Sequence, residues 1–161
     1  PRILTVTSGA HKIGRIHWQD LQLEQRYSAF RSYSQSKLAN ILFTYELSRR
    51  LGDRAFVNCV HPGAVASNFG KDTGGVVAAF IFKAFARFFL SPDQAAEALT
   101  ALIDESRGEV TGKYFDKKTP KPSSQRSYDN ETAQRLWQES EALVQLREDE
   151  RLGNAKPLNR A

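Results

Sequence analysis

Methionine is absent from this 161-residue sequence, and cysteine occurs only once. The chain begins at Pro1 inside a hydrophobic run, so in the absence of methionine we expect a fragment or a partial gene model. The single cysteine, Cys59, excludes an internal disulfide and any metal site built on a pair of cysteines. Because Cys59 lies within an apolar run, the sequence predicts a buried thiol in a strand.

Long apolar runs and histidine clusters are also missing. No stretch reaches the about 18 to 20 apolar residues that a membrane-spanning helix needs. The segment that comes nearest, residues 76–90, is interrupted by Lys83 and Arg87. The histidines are His11, His17 and His61. Their spacing is not that of helix-borne metal ligands, so we predict satisfied loop or strand-end histidines and no metal site.

The charge balance is positive, with a net charge of +5 and a pI near 9.5, which raises the hypothesis of nucleic-acid binding. Such binding needs basic residues that cluster on one face. Here lysine and arginine are scattered, and the densest group surrounds Pro120 and Pro122 in a predicted loop. Its members are Lys113, Lys117, Lys118 and Lys121. We therefore predict no nucleic-acid partner.

Strand-like and helix-like segments alternate along the chain, without repeats or a second domain. We predict strands at residues 3–6, 55–60 and 110–115, and helices at 29–51, 91–106 and 129–146. This order implies parallel strand pairing and a doubly wound α/β architecture. Residues 148–161 lack periodicity and are expected to form a flexible tail.

Tyr33 and Lys37 form a Tyr-x-x-x-Lys pair on the predicted helix of residues 29–51, and Ser8 ends the first apolar strand-like run. Residues four apart lie on one helix face, so the Lys37 ammonium can favour ionisation of the Tyr33 phenol. General acid–base chemistry at a carbonyl or carbinol carbon then becomes feasible. Each feature also has an ordinary interpretation, the pair as a helix-surface contact and Ser8 as a cap or turn after the strand.

Several sequence segments occur in one order with compact spacing. They are Arg2 to His11, which includes Ser8-Gly9-Ala10-His11, then Tyr27-Ser28, Tyr33 to Asn40, and Val57 to Val65, which includes His61-Pro62-Gly63. Together they resemble the second half of a short-chain dehydrogenase/reductase, in the branch of the retinol dehydrogenases and WW-domain oxidoreductases. The resemblance covers about residues 2–146. It implies that residues 1–147 are the C-terminal portion of a Rossmann-type doubly wound parallel sheet, with its last three strands and their helices.

Two segments that the family carries are missing from this sequence, a glycine-rich Thr-Gly-x-x-x-Gly-x-Gly turn and an Asn-Asn-Ala-Gly segment. Gly9 and Gly14 have the spacing of a phosphate loop, but Arg15-Ile16 follows where Lys-Ser/Thr is needed, so we predict an ordinary loop. The resemblance thus implies only the catalytic half of an NAD(P)-dependent oxidoreductase, whose first strand would expose an uncovered edge. The alternative is a truncated, non-catalytic chain or interaction module.

The resemblance also implies roles for individual residues. Tyr33 would be the general acid in reduction and the base in oxidation, Ser8 would hydrogen-bond the substrate oxygen, and Lys37 would assist Tyr33 and hold the nicotinamide ribose. Residues after the second strand would meet the nicotinamide, unless they form a simple turn. They are Pro62, Gly63, Val65 and Ser67. Asn40 receives no catalytic role, because it only continues the helix beyond the motif.

The resemblance implies NADP or NAD as the cofactor, with NADP preferred. The family's substrate lid corresponds to an apolar segment here, which suggests a lipophilic alcohol or carbonyl such as a retinoid, a steroid or a long-chain aldehyde or ketone. Its residues are Phe69, Val76, Val77, Phe80, Ile81, Phe82, Phe85, Phe88 and Phe89. A core helix or an amphipathic segment on a membrane surface would explain them too. We expect an intracellular protein, cytoplasmic or associated with an intracellular membrane, and homo-oligomerisation stays open.

Overall fold

A computed structural model describes residues 1–63, 91–103 and 110–152. The strands are β1 (Arg2–Val6), β2 (Phe56–His61), β3 (Tyr114–Asp116) and β4 (Thr119–Lys121), and the α-helices are α1 (Ala29–Leu51), α2 (Pro92–Ile103) and α3 (Asn130–Leu143). Short 3-10 helices lie at Gly9–Lys12, Trp18–Asp20, Gly52–Arg54, Gln125–Tyr128 and Glu148–Glu150. None of the helices within these ranges is long and apolar enough to cross a membrane.

The strands form one sheet in the order β1-β2-β3-β4. β1 pairs with β2 in parallel, and β2 pairs with β3 in parallel. Parallel strands joined through a helix are the building unit of doubly wound α/β folds. The predicted fold class, a C-terminal portion of a Rossmann-type sheet, is therefore confirmed.

The fourth strand corrects the prediction of a loop around the lysine cluster. β4 pairs with β3 in antiparallel fashion, and Lys117 makes the turn between them with a φ of 57°. Lys121 reaches back to the Asp116 carboxylate at 2.7 Å. Pro120 cannot donate a ladder hydrogen bond, and a strand that contains proline is tolerated at the edge of a sheet. The sequence did not predict this short edge strand because proline and lysine are typical of loops.

Helix α1 begins and ends where the sequence predicted, and Gly52 stops it with a φ of 51°. Its buried side chains recur at the spacing of an amphipathic helix. Ile41 and Tyr45 pack against the sheet, in a cluster with Cys59 and Tyr114. On another side of the helix, Leu38 and Leu42 pack against Ala133 and Leu136 of α3. α1 thus lies between the sheet and α3.

β3 begins later than the predicted strand at residues 110–115. The side chain of Asn58 explains the shift, because its Nδ2 donates to the Val110 carbonyl at 2.6 Å and its Oδ1 accepts from Lys113 N–H at 3.0 Å. These bonds satisfy backbone groups that a ladder would otherwise have paired. The buried thiol that the sequence predicted is confirmed at Cys59, and burial raises its pKa to about 12.

The other two α-helices, α2 and α3, differ from the predicted helices only at their ends. Asp129 caps α3 by accepting a hydrogen bond from Thr132 N–H, which confirms the predicted start. The helix ends at Leu143 rather than near residue 146, and Gln145 follows with a φ of 52°. α2 is described as far as Ile103.

Candidate functional site

Side-chain hydrogen bonds tie the end of β1 to the turn of α1 that carries Lys37. Thr7 Oγ1 donates to the Lys37 carbonyl at 2.7 Å, and Asn40 Nδ2 donates to the Val6 carbonyl at 3.0 Å. Asn40 therefore has a structural role, in keeping with the absence of a catalytic assignment. Since Ser8 follows Thr7 directly, the structure holds Ser8 beside the helix of Tyr33 and Lys37.

Ser8 caps the 3-10 helix Gly9–Lys12. Its Oγ accepts a hydrogen bond from Ala10 N–H at 3.3 Å, so the cap interpretation of this serine is confirmed. The two interpretations are compatible, because a hydroxyl that accepts one hydrogen bond can still donate its own hydrogen. The catalytic role of Ser8 stays a prediction.

Gly14 shows why glycine is needed in the loop after β1. A Cβ at this position would lie 2.3 Å from the Ser34 carbonyl oxygen and 2.9 Å from Leu38 Cβ. The backbone at Gly14 thus packs directly on α1, one residue beyond Tyr33. This contact accounts for the glycine without a phosphate, in agreement with the prediction of an ordinary loop.

Tyr33 and Lys37 lie on one face of α1, and both are half-buried. The Lys37 Nζ lies 5.4 Å from the centroid of the Tyr33 ring, within the range of a cation–π contact. The positive charge is therefore close enough to stabilise negative charge that develops on the phenol. This geometry suits general acid–base chemistry, and the assignment itself stays a prediction.

Pro62 and Gly63 follow β2 at the carboxyl edge of the sheet. Gly63 has a φ of 103°, in the region that glycine favours because it has no Cβ. The preceding His61 lies against the Ser8 turn, since a Cβ on Gly9 would be 3.7 Å from its Nε2. The structure thus brings Ser8, the helix turn of Lys37, and the Pro62-Gly63 segment to one edge of the sheet. Ligands bind at this edge in open α/β folds.

The remaining candidates lie outside the described residues. They are Val65, Ser67 and the apolar segment of residues 69–89. The described part nevertheless fits the nicotinamide end of a dinucleotide. The helix turn of Lys37 lies at this edge, Tyr33 and Lys37 have half-buried side chains, and the positive φ of Gly63 lets the backbone approach closely.

Histidines form an unexpected part of the site. His11 is completely buried, with Nδ1 2.7 Å from the Ser8 carbonyl oxygen and Nε2 accepting from Ser124 N–H at 3.1 Å. Burial lowers the pKa of His11, and it also lowers the pKa of His61. The prediction of a satisfied loop histidine is confirmed for His11, whereas His61 lies at the end of β2 with a buried Nδ1 that has no hydrogen-bond partner. Nothing in the local sequence revealed the bond to Ser124, although the Ser-Gly-Ala-His spacing placed His11 close to Ser8.

Metal ligation receives no support from the geometry. Across residues 1–63, 91–103 and 110–152 there is no group of three or more histidine, cysteine, aspartate or glutamate side chains that could hold a metal ion.

Comparison with known proteins identifies similar chains. No protein family model matches. Retinol dehydrogenase 13 from Mus musculus and from Homo sapiens are each 41% identical to this chain over 152 residues, which is 90% of this chain and 46% of the relative. A crystal structure of an uncharacterised protein from Mycobacterium Paratuberculosis matches with a TM-score of 0.61 and 31% identity, over 89% of this chain and 50% of that one.

The chain spans about half the length of the curated relatives it matches. Within that half, the similarity covers 90% of the chain. The chain therefore has the predicted resemblance to the short-chain dehydrogenase/reductase family, in its retinol dehydrogenase-like branch.

Proposed function

We propose that this chain is the catalytic half of an NAD(P)-dependent oxidoreductase that interconverts an alcohol and a carbonyl. The observation that carries the proposal is the convergence of Ser8, the Tyr33–Lys37 pair and Pro62-Gly63 at one edge of the sheet. The similarity to retinol dehydrogenases supports a lipophilic substrate, such as a retinoid, a steroid or a long-chain aldehyde or ketone. The apolar residues between 69 and 89 suit the same kind of substrate.

The chain's own residues would move the proton of the reaction. In reduction, Tyr33 gives its phenolic proton to the carbonyl oxygen, and in oxidation the phenolate takes the proton back. Ser8 donates a hydrogen bond to the same oxygen and stabilises its developing charge. The Lys37 ammonium, 5.4 Å from the Tyr33 ring, stabilises the phenolate. The cofactor supplies or accepts the hydride at carbon.

We propose that the cofactor binds at the same carboxyl edge of the sheet. Lys37 and the backbone at Pro62 and Gly63 would contact the nicotinamide half, together with Val65 and Ser67. We propose NADP in preference to NAD, by resemblance to the family. We propose an intracellular location, which is either cytoplasmic or associated with an intracellular membrane. Homo-oligomerisation stays open.

The first test is a titration of the purified chain with NADPH and with NADH, followed by nicotinamide fluorescence. Saturable binding would show that the chain alone contains a cofactor site. Without binding, the titration is repeated on the chain joined to a dinucleotide-binding segment of the kind that the family carries. We call the form that binds cofactor the active form. Failure of both forms would contradict the proposal and support the alternative, a non-catalytic interaction module.

The catalytic assignment is tested by Tyr33→Phe in the active form, with a retinoid aldehyde as substrate. We expect turnover to be abolished and cofactor binding to stay largely intact, because the variant removes the hydroxyl that carries the transferable proton and keeps the ring. Tyr27→Phe is the matched control, since it removes a phenol that is 71% exposed and outside the Tyr-x-x-x-Lys pair. Near-full turnover in Tyr33→Phe would contradict the assignment.

A further inference from the structure

His11 lies three residues after Ser8, on the same turn, and none of its surface is exposed. Its ring is tilted by 55° against Tyr114, with the ring centroids 5.0 Å apart. If packing were its only role, an apolar ring would fill this space without the cost of burying polar nitrogens. The hydrogen bonds of the imidazole therefore require their own explanation.

Those hydrogen bonds select one form of the ring. Backbone N–H groups only donate, so the 3.1 Å bond from Ser124 N–H requires an unprotonated Nε2. A neutral imidazole then carries its hydrogen on Nδ1, which donates to the Ser8 carbonyl at 2.7 Å. The backbone N–H of His11 donates to the same carbonyl at 3.1 Å, so both lone pairs of that oxygen are engaged.

The other end of the ring accepts its hydrogen bond from a segment that is itself hydrogen-bonded to α1. Ser123, next to Ser124, hydrogen-bonds through its Oγ to the Tyr45 hydroxyl and to Ser127 Oγ, each at 2.7 Å. Tyr45 belongs to the buried face of α1, and Ser127 is 1% exposed. We call these three side chains, Tyr45, Ser123 and Ser127, the serine–tyrosine network. His11 thus joins the Ser8 turn to the segment of Ser123 and Ser124, and the serine–tyrosine network connects that segment to α1.

We propose that His11 is a positioning residue, whose Nδ1–H fixes the Ser8 carbonyl and thereby aims the Ser8 hydroxyl at the substrate oxygen. The inference rests on the proposed function, because that function gives Ser8 a part in the reaction. Thr7 is held to the Lys37 carbonyl from one side, and Ser8 is held by His11 from the other. The serine is in this way placed relative to the helix that carries Tyr33.

Two amide substitutions separate positioning from packing. His11→Asn places a donor near the position of Nδ1 and loses the bond to Ser124, whereas His11→Gln places an acceptor near Nε2 and loses the bond to Ser8. In the active form we expect His11→Gln to lower kcat by roughly 10- to 100-fold, because small misplacements of catalytic groups have effects of that order. His11→Asn should retain most of kcat, and the KM for cofactor should stay unchanged in both. Equal losses in the two variants would overturn the proposal.

A double-mutant cycle tests the connection to Ser8. If His11 acts through the Ser8 hydroxyl, His11→Gln should cause no further loss of kcat in a Ser8→Ala background. Additive losses, in a protein that Tyr33→Phe inactivates, would overturn the positioning role and leave the proposed function intact. Absence of turnover in the unsubstituted active form would instead overturn the proposed function, and the positioning role with it.

The tautomer gives a measurement that does not depend on turnover or on the folding of any variant. Nitrogen-15 NMR of the histidine-labelled active form should show a neutral His11 with the hydrogen on Nδ1 at pH 7. A hydrogen on Nε2 would overturn the proposal, because Nδ1 could then not donate to Ser8.

Discussion

β1 and β2 are paired neighbours of similar apolar character, yet their surroundings differ. Val57, Cys59 and Val60 of β2 are 0% exposed, whereas Ile3 and Val6 of β1 are 37% and 42% exposed. β2 lies between two strands, and β1 has a strand on only one side in the described part of the chain. An apolar strand at an open edge is a liability that folded proteins normally cover. The central strand is therefore covered by strands of this chain on both sides, while β1 lacks a second strand neighbour among the described residues.

The segment that follows β1, residues 7–14, is held more firmly than the outer edge of the strand, and we call it the inner side of β1. Beyond the strand, Thr7, Ser8 and His11 are held by hydrogen bonds to α1 and to the Ser124 segment. The loop at Gly14 then packs on the helix backbone. Hydrogen bonds thus fix the segment after β1 that carries Ser8, whereas the outer edge of β1 has no strand partner among the described residues.

The largest expected effect on stability comes from Gly14→Ala, which tests how tightly the inner side is packed. The new Cβ would lie 2.3 Å from the Ser34 carbonyl oxygen, so the loop must move away from α1. We expect a loss of about 3 kcal/mol in the free energy of unfolding, measured by urea denaturation, since overpacking typically has effects of this order.

Gly52→Ala is the matched control for that change. Gly52 has a φ of 51° and a ψ of −127°, and an added Cβ would meet nothing within 4 Å, so the only cost is backbone strain of about 1 to 3 kcal/mol. A loss below about 1 kcal/mol in Gly14→Ala would show that the loop is not packed as described.

The comparison between the strands is tested by two valines that are partners in the register, Val6 of β1 and Val60 of β2. Val60→Ala should lower the free energy of unfolding by about 2 kcal/mol, through lost burial and a residual cavity. Val6→Ala should cost less than about 1 kcal/mol, because Val6 is already 42% exposed. Equal losses in the chain would contradict the difference between the two strands. In an active form in which added protein covers β1, the cost of Val6→Ala should rise toward that of Val60→Ala.

A smaller effect is expected from Thr7→Val, which removes the hydroxyl that binds the Lys37 carbonyl but keeps the size of the side chain. The loss in the free energy of unfolding should be about 1 kcal/mol, the typical contribution of one hydrogen bond. Thr119→Val on the exposed strand β4 provides the control and should change stability by less than about 0.5 kcal/mol. Similar values for both variants would mean that Thr7 does not anchor the end of β1.

Features with local causes could be predicted from the sequence, and features with distant causes could not. α1 was predicted to the residue because its apolar spacing and Gly52 are local signals, and Asp129 marked the start of α3 in the same way. The late start of β3 depends on Asn58, which is more than 50 residues away in the sequence. Likewise, the Tyr33–Lys37 pair is visible in one helix turn, whereas the bond between His11 and Ser124 joins residues 113 positions apart. The residues that would react could therefore be predicted from the sequence, whereas the residues that hold Ser8 in place were found only in the structure.

The smallest expected effect on the free energy of unfolding is its decrease in mild acid, which comes from the buried histidines His11 and His61. Burial is the main cause that lowers the pKa of both His11 and His61 below the ordinary value of 6.5. Lys12 lowers both values further, Lys117 lowers that of His61, and Asp116 and the Ser8 carbonyl act in the opposite direction.

A depressed histidine pKa means that the unfolded chain binds more protons as the pH falls below about 6.5, so folded stability is lost in that direction. The free energy of unfolding should therefore be nearly constant from pH 8 to 7 and should decrease from pH 7 to 5. The carboxylates with lowered pKa, Glu97, Asp116 and Asp129, have ordinary values near 4 and contribute mainly at lower pH. His61→Gln should reduce the decrease between pH 7 and 5 without removing it, because His11 still titrates. An unchanged slope in this variant would show that His61 is not one of the groups responsible.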